Sequence, residues 1–314
     1  MRLDEYMAQW LRSHVEVDLR PTTADSYSRL ARLHILPHLG SCTLVDLTPQ
    51  RLQNWVADLS RTQSANAKPL SVRSVTYTMA ILRAALSDAV RLGLLDRNPF
   101  ERVRAPRPHP HLVESFTLEQ VWRLDAVDHR LSALFTFLWQ TGLRIGEALA
   151  LHWVDVDLSR SSLRVRRSAA EVSGKLIVGP PKTAAGMREI ALAPQTVTLL
   201  LEHRIALRAE GLGSSDLVFP SRVGTMLSRR NVTRAWASVR RSVGLPALGL
   251  HALRHTNASL QLQAGVGIRE IAAHLGHESP ALTARVYAHV LEDTKRQAAR
   301  RLGTLLDKTA DSSP

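Results

Sequence analysis

A mainly helical chain in two parts, an all-helical first region and a second α+β region with one small antiparallel sheet, is predicted by three features of this sequence. Apolar side chains recur at spacings of three and four through the first hundred residues, a proline-rich break follows, and β-rich runs are confined to one stretch beyond it. With 314 residues, 45% of them hydrophobic, the chain is long enough for two domains, each with its own core.

The first region spans 1–103. In LDEYMAQWL and ADSYSRLARLHIL the apolar positions fall on one helical face, and Thr48-Pro49 places a capping residue before a proline at the first helical position. Ser71 to Leu92 reads as a longer helix that stacks Val75, Met79, Leu82, Leu86 and Val90 on one side and stops at Gly93. Asn98 to Ser115 holds four prolines in eighteen residues without periodicity, so 104–114 reads as a linker. Thr117 to Gln120 has the pattern of a capping box and opens the second region, 115–292. Within it SSLRVRRSAA, KLIVGPPKT and MREIALAP predict a three-stranded antiparallel sheet between residues 162 and 193. Helices resume at Pro194 and continue through SRRNVTRAWASVRRSV to joints at Gly265, Gly276 and Ser279-Pro280. Residues 293–314 are predicted to form a basic, amphipathic C-terminal helix and tail.

The net charge of +13 and a pI near 10.9 point towards a polyanionic partner such as nucleic acid. Residues 1–106 hold 14 basic and 10 acidic side chains, so the second region carries more of the excess. The single cysteine, Cys42, excludes an intramolecular disulfide and a thiolate zinc cluster. No apolar run reaches about 18 residues, and the N-terminus MRLDEYMAQW carries two acids where a signal peptide would be basic and then apolar. A cytoplasmic protein without a membrane partner is expected.

Reactive side chains concentrate between His251 and Val290. His251 and Arg254 are three apart, on one face of a helix, and suit a phosphate: a guanidinium forks onto two oxygens while an imidazole exchanges a proton near neutral pH. Tyr287 follows His277 by ten residues. Of the four tyrosines the other three, Tyr6, Tyr27 and Tyr77, lie in the first third. TGLRIGEALAL sets Arg144 at a helix start, with Glu147 three residues on to hold the guanidinium. PPKTAAGMRE sets Lys182 in a turn between β runs, with Lys175 as the nearest decoy. His274-Leu-Gly-His277 also admits a metal reading, but no H-E-x-x-H and no thiolates accompany it, so neither a metal nor another cofactor is expected. IREIAAHLGHESPALTARVY further admits a helix-turn-helix reading, which needs neither His251/Arg254 nor Tyr287.

TGLRIGE, PKTAAGMRE, HALRH, LGH and VYAHV, in this order and behind an all-helical region containing RPTTADSYSRLARLHILPHLG and RLGLLDRNPF, resemble the tyrosine recombinases of the phage-integrase type over nearly the whole chain. The resemblance implies a core-binding, SAM-like helical bundle over 1–103 that clamps DNA, and a catalytic domain of the DNA breaking-rejoining fold over 115–292. It implies Arg144 and Arg254 as the two catalytic arginines, Lys182 as the hairpin lysine, His251 as the first histidine, His277 at the position held by His or Trp, and Tyr287 as the nucleophile. It also implies double-stranded DNA with attachment or core sites as substrate, a 3′-phosphotyrosine intermediate, a homotetramer and a Holliday junction. Segment 293–314 is expected to dock on a neighbouring subunit, and a DNA-bending accessory protein or an excisionase is left open as a further partner. Integrases of this type often carry a further small domain ahead of the core-binding helices, which contacts separate arm sites on DNA, whereas this sequence starts at those helices; a protein lacking that domain and a truncated form are both left open, and arm-site binding with them. The alternatives are a topoisomerase of the type IB kind, with the same chemistry but no partner exchange, and a sequence-specific DNA-binding regulator without catalysis.

Overall fold

The computed structural model describes residues 1–62, 69–107, 113–286 and 303. The chain divides into two compact units, Met1–Pro110 and His111–Pro314.

In the first unit the described elements are all helical: α1 (Leu3–Trp10), α2 (Glu16–Asp18), α3 (Pro21–Leu30), α4 (Leu36–Leu39), α5 (Pro49–Arg61) and α6 (Val72–Arg91), with short 3-10 and π turns between some of them. A π turn, Ala31–Ile35, precedes Pro37. Proline has no N–H for the carbonyl four residues back, so the helix predicted through ADSYSRLARLHIL changes its winding there. Thr48 and Ser71 cap α5 and α6 by accepting from the backbone N–H groups of Arg51 and Ser74. Helix α6 buries Val75, Met79, Leu82 and Leu86 as expected, but Ala89 takes the next inward position while Val90 is half-buried. At about 100° per residue, Ala89 falls within about 20° of Leu82, near the middle of the buried face, whereas Val90, about 80° from Leu82, falls towards its edge. The core adds Leu3, Tyr6, Met7, Trp10, Ile35, Leu52, Trp55 and Phe100. Its polar ring atoms are satisfied, as burial requires: Tyr6 Oη donates to the Ala85 carbonyl at 2.6 Å and Trp10 Nε1 to Asp88 at 2.7 Å.

The second unit opens with α7 (Leu118–Asp125), whose predicted capping box pairs Thr117 with Gln120. There follow α8 (Ser132–Thr141), α9 (Ile145–Leu149), β1 (Val156–Asp157), β2 (Ser162–Val165), β3 (Ser168–Val172), β4 (Lys175–Gly179), β5 (Arg188–Ala191), α10 (Pro194–Ala209), α11 (Arg229–Ser242), α12 (His251–Gln263), α13 (Ile268–Leu275) and α14 (Pro280–Val286). Helix α8 is buried nearly all round, with Leu134, Phe135, Phe137 and Leu138 inside, and packs against α7, α10 and α12.

The strands depart from the single sheet expected between 162 and 193. They form two sheets: β1-β2-β5, antiparallel, and a separate β3-β4 hairpin. The run SSLRVRRSAA is therefore split at Arg166-Arg167. On one side Leu163 and Val165 are buried, and Leu163 pairs with the buried Ile190. On the other Leu176, Ile177 and Val178 of β4 are exposed. Period-2 alternation with one buried face ties β2 to the core; β4 lacks that face and pairs only with its sequence neighbour. Ser173 and Gly174, both at positive φ (48° and 78°), make the tight turn of that hairpin. Arg166 and Arg167 both pair with Asp155, whose side chain is 2% exposed, and so pin the split. No helix among the described residues is long and apolar enough to cross a membrane.

Candidate active site

The site is assembled on the last turn of α13. A helix leaves its final carbonyls without intrahelical partners and with a partial negative charge, so cations are favoured there. Here three consecutive carbonyls each receive an arginine. Arg188 Nε donates to His274 O at 2.6 Å, Arg254 Nη2 to Leu275 O at 2.6 Å, and Arg144 Nη2 to Gly276 O at 3.1 Å. The arginines come from β5, α12 and the N-terminus of α9, far apart in sequence. His277 follows this turn directly, and its N–H returns to the Ala272 carbonyl at 2.9 Å.

Two glycines let these backbones meet. Gly142 ends α8 at φ +66°, and a Cβ there would lie 2.6 Å from Asn257 Oδ1 and 2.8 Å from a Leu275 methyl; its carbonyl accepts from Arg254 Nη1 at 2.7 Å. Gly276, at φ +67°, would place a Cβ 2.7 Å from the Ala185 carbonyl and 3.0 Å from Arg188 Nη1. Any larger residue at either position is both strained and obstructed.

Arg254 is 2% exposed, whereas the Arg144 side chain is 39% exposed. Arg144 is held from behind by Glu147, as the sequence suggested: Nη1 donates to Oε1 at 2.8 Å and the Arg144 backbone N–H to Oε2 at 3.0 Å. Glu147 is buried, and burial by itself raises its pKa. The hydrogen bonds and charge of Arg188, then the contacts of Arg144, outweigh that and hold the carboxyl below its ordinary range.

His251 opens α12 one turn before Arg254, and its ring meets that of His255 edge-on at 4.6 Å. The His251 ring keeps an exposed edge but is crowded by protein atoms, and this loss of hydration, reinforced by the charges of Arg254, Arg144 and Arg229, lowers its pKa to about 4. His277 and His255 are also lowered to about 4, chiefly by burial and then by the neighbouring arginines and histidines. All three are neutral at pH 7, so His251 is in its proton-accepting form. His277 Nδ1 shares a hydrogen bond with Thr283 Oγ1 at 2.7 Å, and Thr283 on α14 is fully buried. His274 turns away from His277 to the Thr141 carbonyl at 2.9 Å. The two histidines of the metal reading thus have different partners, and no group of three or more metal-ligating side chains converges among the described residues.

Lys182 is exposed, in the turn ahead of the 3-10 turn Ala184–Gly186. Ala185 of that turn abuts Gly276, so the segment bearing Lys182 is anchored beside His277. Of the six residues singled out in the sequence, Arg144, His251, Arg254 and His277 are brought together, Lys182 is carried on the adjoining turn, and Tyr287 lies outside the described residues.

Arg188, Thr283 and His255 were not singled out. Arg188 lies six residues after Lys182 in the same motif and looks like a surface residue of an alternating strand. The signal that could have found it is Glu147, a carboxylate one turn into a helix in a largely apolar stretch, which needs more than one cation to be buried at low cost.

The family model described as Phage integrase family matches residues 116–294, and that described as Phage integrase, N-terminal SAM-like domain matches residues 2–60. The integrase of Mycobacterium phage D29 is 30% identical over 310 residues, covering 96% of this chain and 78% of that protein. A tyrosine recombinase of the XerC-like kind from Caldanaerobacter subterraneus is 27% identical, covering 96% and 83%. The fold matches that of the Tn1549 transposon integrase in complex with a circular intermediate DNA, with a TM-score of 0.80 at 20% identity over 96% of this chain and 99% of that one. It also matches a lambda integrase tetramer bound to a Holliday junction, with a TM-score of 0.69 at 19% identity over 91% and 77%. These relatives lend no support to the topoisomerase or regulator alternatives. The chain belongs to the phage integrase family and is a site-specific tyrosine recombinase.

Proposed function

We propose that this recombinase cuts and rejoins double-stranded DNA at attachment or core sites through Tyr287, with Arg144, Lys182, His251, Arg254 and His277 as its catalytic partners. The observation that carries the reading is the gathering of Arg144, Arg254 and His277 on one helix end, with His251 one turn from Arg254.

A phenol with a pKa of about 10 is a poor nucleophile at neutral pH, and a phosphodiester repels anions. The Tyr287 oxygen attacks phosphorus and gives its proton to His251, while the bond from phosphorus to the 5′ oxygen breaks and Lys182 protonates that oxygen. Arg144 and Arg254 offset the charge on the non-bridging oxygens of the five-coordinate transition state, and His277 adds a hydrogen bond. The products are a 3′-phosphotyrosine and a free 5′ hydroxyl. One phosphodiester replaces another, so the step needs no nucleotide energy source. Attack by a 5′ hydroxyl from a second duplex reverses the chemistry with a new partner.

In this reading residues 1–103 clamp DNA, 104–114 link, 115–292 catalyse, and 293–314 dock on a neighbouring subunit of a homotetramer that passes through a Holliday junction in the cytoplasm. The lambda integrase tetramer on such a junction supports the assembly. The test is an SDS-resistant protein–DNA adduct formed on a library of candidate attachment sequences with trapping nicks. Wild type is expected to form it and Tyr287→Phe to form none. Binding without an adduct on every sequence would count against the reading.

A further inference from the structure

Arg188 is the third arginine on the α13 terminus, and the chemistry above gives it no part. Its side chain is 6% exposed and its donors are spent inside the protein. Nε reaches His274 O at 2.6 Å, Nη1 reaches Gly186 O at 2.9 Å and Glu147 Oε1 at 3.3 Å, and Nη2 reaches Glu147 Oε2 at 3.0 Å. A guanidinium so enclosed does not present a fork to a phosphate. It joins three pieces instead: the helix that orients Arg144, the helix end that delivers His277, and the turn that follows Lys182.

Arg144 and Arg254 reach the same helix end directly, and Arg188 adds the link from that end to Glu147 and to the Lys182 turn. Both oxygens of Glu147 accept from both Arg144 and Arg188, and of the two arginines Arg188 does more to keep the carboxylate ionised. The carbonyl of Gly186 and the near contact of Ala185 with Gly276 place the Lys182 turn against the same guanidinium. We propose that Arg188 is a positioning residue of the strand-cleavage reaction, setting Arg144 through Glu147 and setting the His277 and Lys182 turns against each other through the His274 and Gly186 carbonyls. The proposal rests on the catalytic roles given above.

Two consequences follow from the geometry. A variant that removes the guanidinium leaves DNA binding nearly intact, because Arg188 faces no ligand, but slows cleavage on the order of 10²-fold, the usual effect of misplacing groups that must act together. It also leaves Glu147 buried with one cation in place of two. Glu147 then takes up a proton in a range where it is ionised in the wild type, and Arg144 loses its brace as it does so.

The experiment uses the full chain and the nicked duplex recovered from the adduct screen, and measures duplex affinity and single-turnover adduct formation from pH 5 to 9. Wild type must first form the Tyr287-dependent adduct; if it does not, the catalytic reading fails and Arg188 is not at issue. For Arg188→Met, affinity within about twofold of wild type, cleavage slowed on the order of 10²-fold, and a new loss of rate towards acid pH are expected. The acid limb should vanish in Arg188→Met combined with Glu147→Gln, which has no carboxyl to protonate. Arg188→Lys, which keeps the charge but not the fork, should recover part of the rate. Should Arg188→Met fail to fold, Arg188→Lys carries the test, with slower cleavage and a weaker acid limb expected. A folded variant that cleaves at the wild-type rate, or one that is slow with an unchanged pH profile, overturns the proposal.

Discussion

The two units of this chain treat polar groups in opposite ways. In the helical unit the buried polar residues among those described are neutral, Thr78 and Asn98, and the polar atoms of Tyr6, Trp10 and Trp55 each find one partner at the edge of an apolar core. In the second unit Glu147, Asp155 and Arg254 are almost fully buried, and Arg188 nearly so. Ions taken out of water cost several kcal/mol each unless geometry and hydrogen bonds repay it, and well-packed apolar residues often do as well for stability alone. The first unit follows that cheaper course. The second accepts the cost, which suits the proposed catalytic reading, since donors fixed in advance around an anion need no reorganisation when charge develops.

The comparison can be broken most severely at Glu147. Glu147→Ala strands the Arg188 guanidinium, and about 3–5 kcal/mol of stability should be lost from the second unit. Hydrogen exchange resolved by segment should then show the protection of α8, α12 and α13 falling while α6 keeps its own. Equal loss in both units, or none, would count against the contrast. Leu82→Ala, fully buried on α6, is the counterpart in the apolar unit. A cost of about 3 kcal/mol there, read from urea unfolding, should leave the single-turnover cleavage rate of DNA-bound, folded protein unchanged.

A smaller, graded effect concerns pH. His251, His255 and His277 titrate at about 4 in the folded protein against 6.5 for a free imidazole. Between those values the unfolded chain binds protons that the folded chain does not. Stability is therefore fully present above about pH 6.5 and declines as pH falls towards 4. Urea midpoints for the second unit across pH 4–7 should show this decline. His251→Gln should reduce its slope, and an identical slope would remove His251 from the cause.

Much of the architecture was legible because it depends on local patterns. The caps at Thr48 and Thr117 and the pairing of Arg144 with Glu147 each involve residues within one helical turn, and each appears as read. The arrangement of the strands was not legible. SSLRVRRSAA is continuous in β character, and only the buried Asp155 and the burial of Ile190 against Leu163 divide it between two sheets. Arg188 went unnoticed for the same reason: its partners at residues 147, 186 and 274 are joined only by the fold.

By itself the sequence determined the helical first region, the positions of several helix ends, the excess of positive charge and the identity of the residues with the right chemistry, all of which rest on side-chain type and short spacing. The tertiary structure decided that residues as distant as 144, 188 and 254 share the last three carbonyls of one helix terminus. No local pattern encodes that meeting. It follows from packing α8, α9, α12 and β5 around one core and α13 against α12 and β5, where glycines at 142 and 276 let the backbones approach closely enough for the arginines to reach.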